Sequence, residues 1–279
     1  MYIILIIFLI LGMFCISIFT DKRIKILISR INKHYHSIFK GKCLFIKIFQ
    51  ASFIIIDEAL TILIIYKLAE KVIINYNIEL LGKILLFIFG FFIVHYTIGM
   101  VLLYYNEHKF IKKEEDSLTG DFLLSYFLIV ASIFFILTFD GYIKIFTLSF
   151  ITVDIISYLI NVKLIILYMI VGKRRYKEEG RVNSFFIIFI SAIVVVIMLI
   201  LNLYIGVVIV NSIFYESFTN SPGYFDLFYY TVVTFTTIGF GDIVPLNAAA
   251  KFMAVCISAT SILCVTIFLG SLYSFREKR

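Results

Sequence analysis

Long apolar runs separated by short charged segments dominate the chain. A run of about 20 apolar residues matches the hydrocarbon core of a bilayer, where a span must pair its own backbone groups as a helix. We predict seven such spans and a shorter helix before the last one. The spans cover about 1–20, 48–66, 84–105, 122–139, 143–171, 184–212 and 246–274, and the short helix covers 224–236.

Composition agrees with an all-α membrane protein of seven transmembrane helices. Of 279 residues, 62% are hydrophobic and 15% are charged, which is too much apolar surface for a soluble core. Two strongly basic segments, 21–47 and 173–181, carry much of the formal net charge of +7. Basic loops of membrane proteins face the cytoplasm, so this charge indicates orientation and a lipid bilayer as partner rather than nucleic acid. Part of the first segment, 24–38, is predicted to be an amphipathic helix on the inner leaflet.

These signals give a topology and four segments. We expect a multi-pass protein of the plasma membrane with its C-terminus in the cytoplasm and its N-terminus outside. Residues 1–172 would form a five-helix region, 173–183 a basic cytoplasmic linker, 184–275 a second helical region and 276–279 a short cytoplasmic tail.

The segment before the last span alternates glycine with other residues. It reads Thr237-Ile238-Gly239-Phe240-Gly241 and is followed directly by Asp242. Successive backbone carbonyls can point at one axis only if alternate residues adopt a positive φ, which glycine does without a steric penalty. Such a column of carbonyl oxygens, with the Thr237 hydroxyl at one end, could replace the hydration shell of a cation.

This segment resembles the filter signature TVGYG of the tetrameric potassium channels. The resemblance implies that residues 237–241 bind K⁺ as the only metal ion, that four identical chains surround one pore, and that the short helix is re-entrant. It also implies that Tyr229, Tyr230 and Asp242 brace the filter, and we predict a hydrogen bond from Tyr230 to Asp242. Val233 stands where some members carry an acid, which puts acid-dependent inactivation of the filter in doubt.

The same resemblance assigns two further roles beside the filter. The inner-helix residues nearest the pore axis would be Ile262, Val265 and Leu269, which share one helix face and would line an apolar cavity. Asp226, near the start of the short helix, either complements the positive end of the helix dipole or is a solvated acid of the outer loop.

Several ionisable residues fall near the middle of predicted spans, where charges are costly and usually paired. Lys163 could pair with Asp57 or Glu58. The set would be either a network sensitive to pH or voltage or a buried ion pair that fixes helix register, and we favour the second. Its members are Asp57, Glu58, His95, Asp154 and Lys163.

The fifth span lacks the repeated basic residues of a voltage sensor, since it offers only Lys144 near one end and Lys163 inside. We therefore expect weak or absent voltage dependence. No metal-ligand cluster, nucleophile set or phosphate loop indicates an enzyme or a cofactor. The alternatives to a potassium channel are a less selective cation channel and a non-conducting regulatory or structural membrane subunit.

Overall fold

The structure, a computed structural model, describes residues 22–38, 44–75, 80–106, 115–139, 142–179, 182–214 and 216–276. These residues form eight helices and no strand; a single isolated bridge joins Phe218 and Pro245. The helices are α1 (Lys22–Ile38), α2 (Leu44–Asn75), α3 (Leu80–Asn106), α4 (Glu115–Thr138), α5 (Thr147–Glu179), α6 (Val182–Ile213), α7 (Tyr224–Phe235) and α8 (Ala248–Arg276).

Helices occupy the positions of six predicted spans and of the short helix; the predicted first span, 1–20, lies outside the described residues. The main difference is at the end of α5. This helix continues to Glu179, so most of the segment predicted as a linker is helical. Lysine, arginine and glutamate are good helix formers, and this explains why the basic segment extends the apolar helix.

Four of the described helices are long and apolar enough to cross a membrane, namely the stretches Gly120–Thr138, Thr147–Leu167, Ala192–Ile213 and Ala248–Leu269. A shorter apolar stretch, Gly90–Leu103, lies in α3. The predicted total of seven spans stays a prediction.

The chain divides into two compact units, Met1–Glu107 and His108–Arg279. In the first unit α1 and α2 both pack against α3. The α1 helix is amphipathic, as predicted, but α3 covers part of its apolar face: Ile31 is buried, and the Tyr35 ring stacks on His95 with centroids 4.5 Å apart. This part of the apolar face of α1 therefore packs on protein, and the expected contact of α1 with the inner leaflet could involve only the rest of that face.

In the second unit α6 packs against α4, α5, α7 and α8. Its core side chains include Val195, Leu199, Val207 and Val208, all of them fully buried. Because α6 and α8 flank α7 and the segment that follows it, this packing positions the glycine-alternating segment. The predicted domain boundaries at 172 and 184 stay a prediction, although α4 and α5 pack in the same unit as these helices.

Candidate functional site

The site is built around α7, a helix of 12 residues between α6 and α8. Gly223 precedes the helix in an extended conformation, and its backbone N–H donates to the Asp226 carboxylate over 2.9 Å. A carboxylate in the first turn also interacts favourably with the positive end of the helix dipole. Of the two roles expected for Asp226, this geometry favours the one at the helix end.

The chain leaves α7 through a tight set of backbone hydrogen bonds. The carbonyl of Val233 accepts from the N–H of Ile238 at 3.0 Å and from that of Gly239 at 3.3 Å. The Thr236 N–H and hydroxyl both donate to the carbonyl of Val232, at 2.9 and 2.8 Å. These bonds fix where the helix ends and where the predicted filter segment, residues 237–241, begins.

Positive φ angles alternate along the predicted filter segment. They are 61° at Thr237, 56° at Gly239 and 79° at Gly241. The two glycines behave as the sequence suggested, but the left-handed conformation of Thr237 was not foreseen. No heavy atom beyond the neighbouring residues would lie within 4 Å of a Cβ added at either glycine, so the backbone conformation and not the available space requires glycine there.

The segment that follows the predicted filter is fastened to the end of the loop after α6. The Thr219 N–H donates to the carbonyl of Val244 at 3.1 Å, and the Val244 N–H donates to the Thr219 hydroxyl at 3.0 Å. A further backbone bond lies beside these two: the Leu246 N–H donates to the carbonyl of Ser217 at 2.8 Å. The C-terminal end of the predicted filter segment is therefore held by the same loop that leads into α7.

Tyr229, not Tyr230, interacts with Asp242. The Tyr229 ring lies parallel to that of Phe240 with centroids 6.4 Å apart. Desolvation, and then the nearby Asp242 carboxylate, raise the pKa of the Tyr229 hydroxyl. The Tyr230 ring instead packs against Phe218, and its buried hydroxyl faces Thr234 and not Asp242.

The predicted hydrogen bond from Tyr230 to Asp242 is therefore wrong within one chain. Consecutive residues of a helix point about 100° apart, so Tyr229 and Tyr230 cannot both face the predicted filter segment. The sequence places an aromatic pair before the filter but does not say which ring faces it.

Several apolar side chains near the site are exposed in the single chain. Ile238 and Phe240 of the predicted filter segment are 58% and 67% exposed. On α8 the exposed side chains include the three that we expect to line the cavity, Ile262, Val265 and Leu269. The single chain therefore leaves uncovered both the predicted filter segment and one face of α8.

The ionisable residues form pairs that were not predicted. Lys163 Nζ lies 2.6 Å from Asp121 Oδ2 on α4. The expected pair of Lys163 with Asp57 or Glu58 stays a prediction. Glu58 contacts His95 Nδ1 over 2.8 Å, between α2 and α3. Both oxygens of Asp57 are buried with no partner in the described part of the chain. Apolar spans of similar length align in many ways, and depth alone did not identify these partners.

Asp154 belongs to a polar face of α5 that the charged residues alone do not indicate. The face consists of Asp154, Ser157, Tyr158 and Asn161, spaced i, i+3, i+4 and i+7 along an otherwise apolar helix. The spacing itself is the signal of this face in the sequence, since three of its four residues carry no charge. The Asp154 carboxylate lies against Gly206 of α6, with Oδ2 3.5 Å from the position of a Gly206 Cβ.

Comparison with known families finds a match in the C-terminal part of the chain. A family model described as an ion channel matches residues 197–278, which include α7, the predicted filter segment and the described part of α8. No match was found among curated proteins or among solved structures. The matched region is thus similar to an ion channel, and this similarity supports passive ion conduction.

Proposed function

We propose that the protein is a potassium-selective channel that conducts K⁺ passively through a pore shared by four copies of the chain. The observation that carries the proposal is the alternation of positive φ at Thr237, Gly239 and Gly241 within a region similar to ion channels. Left-handed residues at alternate positions turn successive carbonyls toward one side. Rings of such carbonyls replace the hydration shell of K⁺ in potassium channels.

Four copies are proposed because a single ribbon of carbonyls cannot surround an ion. Closed rotational symmetry would place four equivalent segments around one axis. The exposure of Ile238 and Phe240 in one chain agrees with this arrangement, since a large apolar side chain at the pore needs a neighbour to cover it. Tyr229 and Asp242 would brace each copy from behind.

The remaining parts of the pore follow from the helices. The partly negative C-terminal end of α7 would favour a cation below the filter. Ile262, Val265 and Leu269 would line the cavity there, on the exposed face of α8. We place the assembly in the plasma membrane as a multi-pass protein of seven spans, with a cytoplasmic C-terminus and an external N-terminus.

Strong voltage dependence is not part of the proposal. Moving one elementary charge through 100 mV is worth about 2.3 kcal/mol, so a steep response needs several charges on one moving helix. On the described part of α5 that lies in the apolar stretch, Lys163 is the basic residue, and its ammonium contacts Asp121 on α4. We expect tail currents to depend weakly on voltage.

The test is a reversal-potential measurement on the purified protein in liposomes, with K⁺ on one side and Na⁺ on the other. A reversal potential near that of a K⁺ electrode supports the proposal. Equal permeability would establish a less selective cation channel instead. An intact tetramer that carries no current would establish a non-conducting subunit.

A further inference from the structure

The polar face of α5 contains two kinds of residue. Two of them have partners on other helices: the Ser157 and Ser125 hydroxyls lie 3.0 Å apart, and the Tyr158 hydroxyl lies 2.8 Å from that of Thr260 on α8. The other two do not. Asp154 Oδ1 and both amide atoms of Asn161 are buried with no hydrogen-bond partner in the described part of the chain.

The facing surface of α6 adds a third residue of this kind. Asn202 is 1% exposed, and neither of its amide atoms has a partner among the described residues. It precedes Gly206 by one helical turn, and Gly206 is the point where Asp154 approaches α6. The consecutive helices α5 and α6 pack together and run in opposite directions. A residue that precedes Gly206 on α6 therefore lies beside residues that follow Asp154 on α5, and this places Asn202 near the next turn of α5. We call Asp154, Asn161 and Asn202 the α5–α6 polar cluster.

No charged side chain is available to satisfy this cluster from within the described structure. Lys163, two residues beyond Asn161, contacts Asp121 instead. A buried carboxylate or amide without a partner is strongly unfavourable, and more so between apolar helices. The cluster therefore requires a partner that the side chains do not supply.

The chemistry of the three side chains selects that partner. Each asparagine presents an N–H donor next to a carbonyl acceptor, and the aspartate presents acceptor oxygens. A bare cation would satisfy the oxygens and leave the amide N–H groups unpaired, whereas an anion would be repelled by the carboxylate. Water both donates and accepts, and buried water typically makes about three hydrogen bonds to otherwise unsatisfied groups.

We propose that the α5–α6 polar cluster is an internal hydration site, in which bound water links Asp154 to the amides of Asn202 and Asn161. This inference concerns a position away from the predicted filter segment and does not depend on ion conduction. It makes Asp154 accessible to water although it lies between helices that are apolar enough to cross a membrane.

Met253 of α8 provides a natural reporter of this water. A Cβ at Gly206 would lie 2.6 Å from the Met253 methyl group and 3.5 Å from Asp154 Oδ2, so the thioether and the carboxylate meet beside the same glycine. Water bound at the cluster would be a local source of hydroxyl radicals when the sample is irradiated with X-rays. The radicals add to nearby thioethers, and dissolved oxygen in the sample completes the two-electron oxidation to the sulfoxide.

The experiment is X-ray hydroxyl-radical footprinting of the full-length protein in liposomes, with methionine oxidation measured by mass spectrometry. The oxidation rate of Met253 is compared between the wild type and Asp154→Leu/Asn202→Leu, which removes the groups that hold water. Met100 on α3, in the other compact unit, serves as the dose reference. We expect Met253 oxidation to fall severalfold in the double variant while Met100 is unchanged.

An unchanged rate at Met253 would overturn the proposal, because the radicals would then come from water elsewhere. If the double variant does not assemble, the single variant Asn202→Leu is used, and its thermal stability gives a second criterion. Leucine has a similar size but needs no partner. A hydrated cluster predicts a lower Tm, since the variant expels water from Asp154, whereas a Tm above that of the wild type would mean that the cluster is dry.

Discussion

The predicted filter segment and the polar face of α5 present their polar groups in opposite ways. In the predicted filter segment the oxygens proposed to bind the ion belong to the backbone, and the side chains of Ile238 and Phe240 are exposed. On α5 the polar groups belong to side chains that are buried against α4, α6 and α8. The first arrangement depends on local φ preferences and, in the proposed tetramer, on other copies of the chain. The second depends on how neighbouring helices pack within one chain.

The largest effect is expected from a substitution that opposes positive φ in the predicted filter segment. In Gly239→Ala a side chain must adopt φ near 56°, which costs roughly 1–2 kcal/mol in each copy. We expect the loss of K⁺ over Na⁺ selectivity in the reversal-potential measurement. The control is Gly120→Ala on α4, where a Cβ also meets no atom within 4 Å. Preserved selectivity in Gly239→Ala would show that the left-handed conformation is not required.

The second-largest effect is expected from Tyr229, which we propose braces the filter segment through Asp242. Tyr229→Phe removes the hydroxyl that interacts with Asp242 and keeps the ring against Phe240. We expect normal assembly but a severalfold faster decay of current during sustained opening, because the outer end of the filter loses a support. The control is Tyr142→Phe, an exposed ring before α5. Equal decay in the two variants would argue against the brace.

The start of α8 should show an intermediate effect. Asn247 Oδ1 accepts from the Ala250 N–H at 2.8 Å, and its Nδ2 donates to the Ser217 hydroxyl at 3.0 Å. Asn247→Ala removes the helix cap and should lower the free energy of unfolding by about 1 kcal/mol. Asn247→Asp keeps the cap and should recover most of that loss in a denaturant titration. If both variants are equally destabilised, the bond to Ser217 rather than the cap is the important contact.

The smallest expected effect lies on the polar face of α5. The Thr260 hydroxyl donates to the carbonyl of Cys256 at 2.7 Å, so Tyr158 must be the donor to Thr260. Tyr158→Phe removes this bond, and polar bonds between membrane helices average about 0.6 kcal/mol. Denaturant titration beside Tyr142→Phe should resolve that difference. A loss several times larger would mean that Tyr158 supports more than one bond.

Local features of the chain could be predicted from the sequence, whereas contacts between helices could not. Apolar runs predicted the long apolar helices, an amphipathic pattern predicted α1, and glycine at alternate positions predicted positive φ at Gly239 and Gly241, because all three are properties of nearby residues. The partner of Lys163 and the choice of Tyr229 over Tyr230 depend on helix rotation and alignment. A small rotation of an apolar helix changes its contacts but leaves its sequence pattern the same, so these features could not be predicted.

The close approach of α1 to α3 depends on Gly99, whose side chain is a single hydrogen atom. At Gly99 a methyl group would come within 2.5 Å of Ile31 and 2.6 Å of the Tyr35 ring, so even alanine would force the two helices apart. The same contact brings the Tyr35 hydroxyl 2.9 Å from the carbonyl of His95, to which it donates. The absence of a larger side chain at Gly99 thus allows α1 to pack directly against α3, and any other residue at this position would separate the two helices.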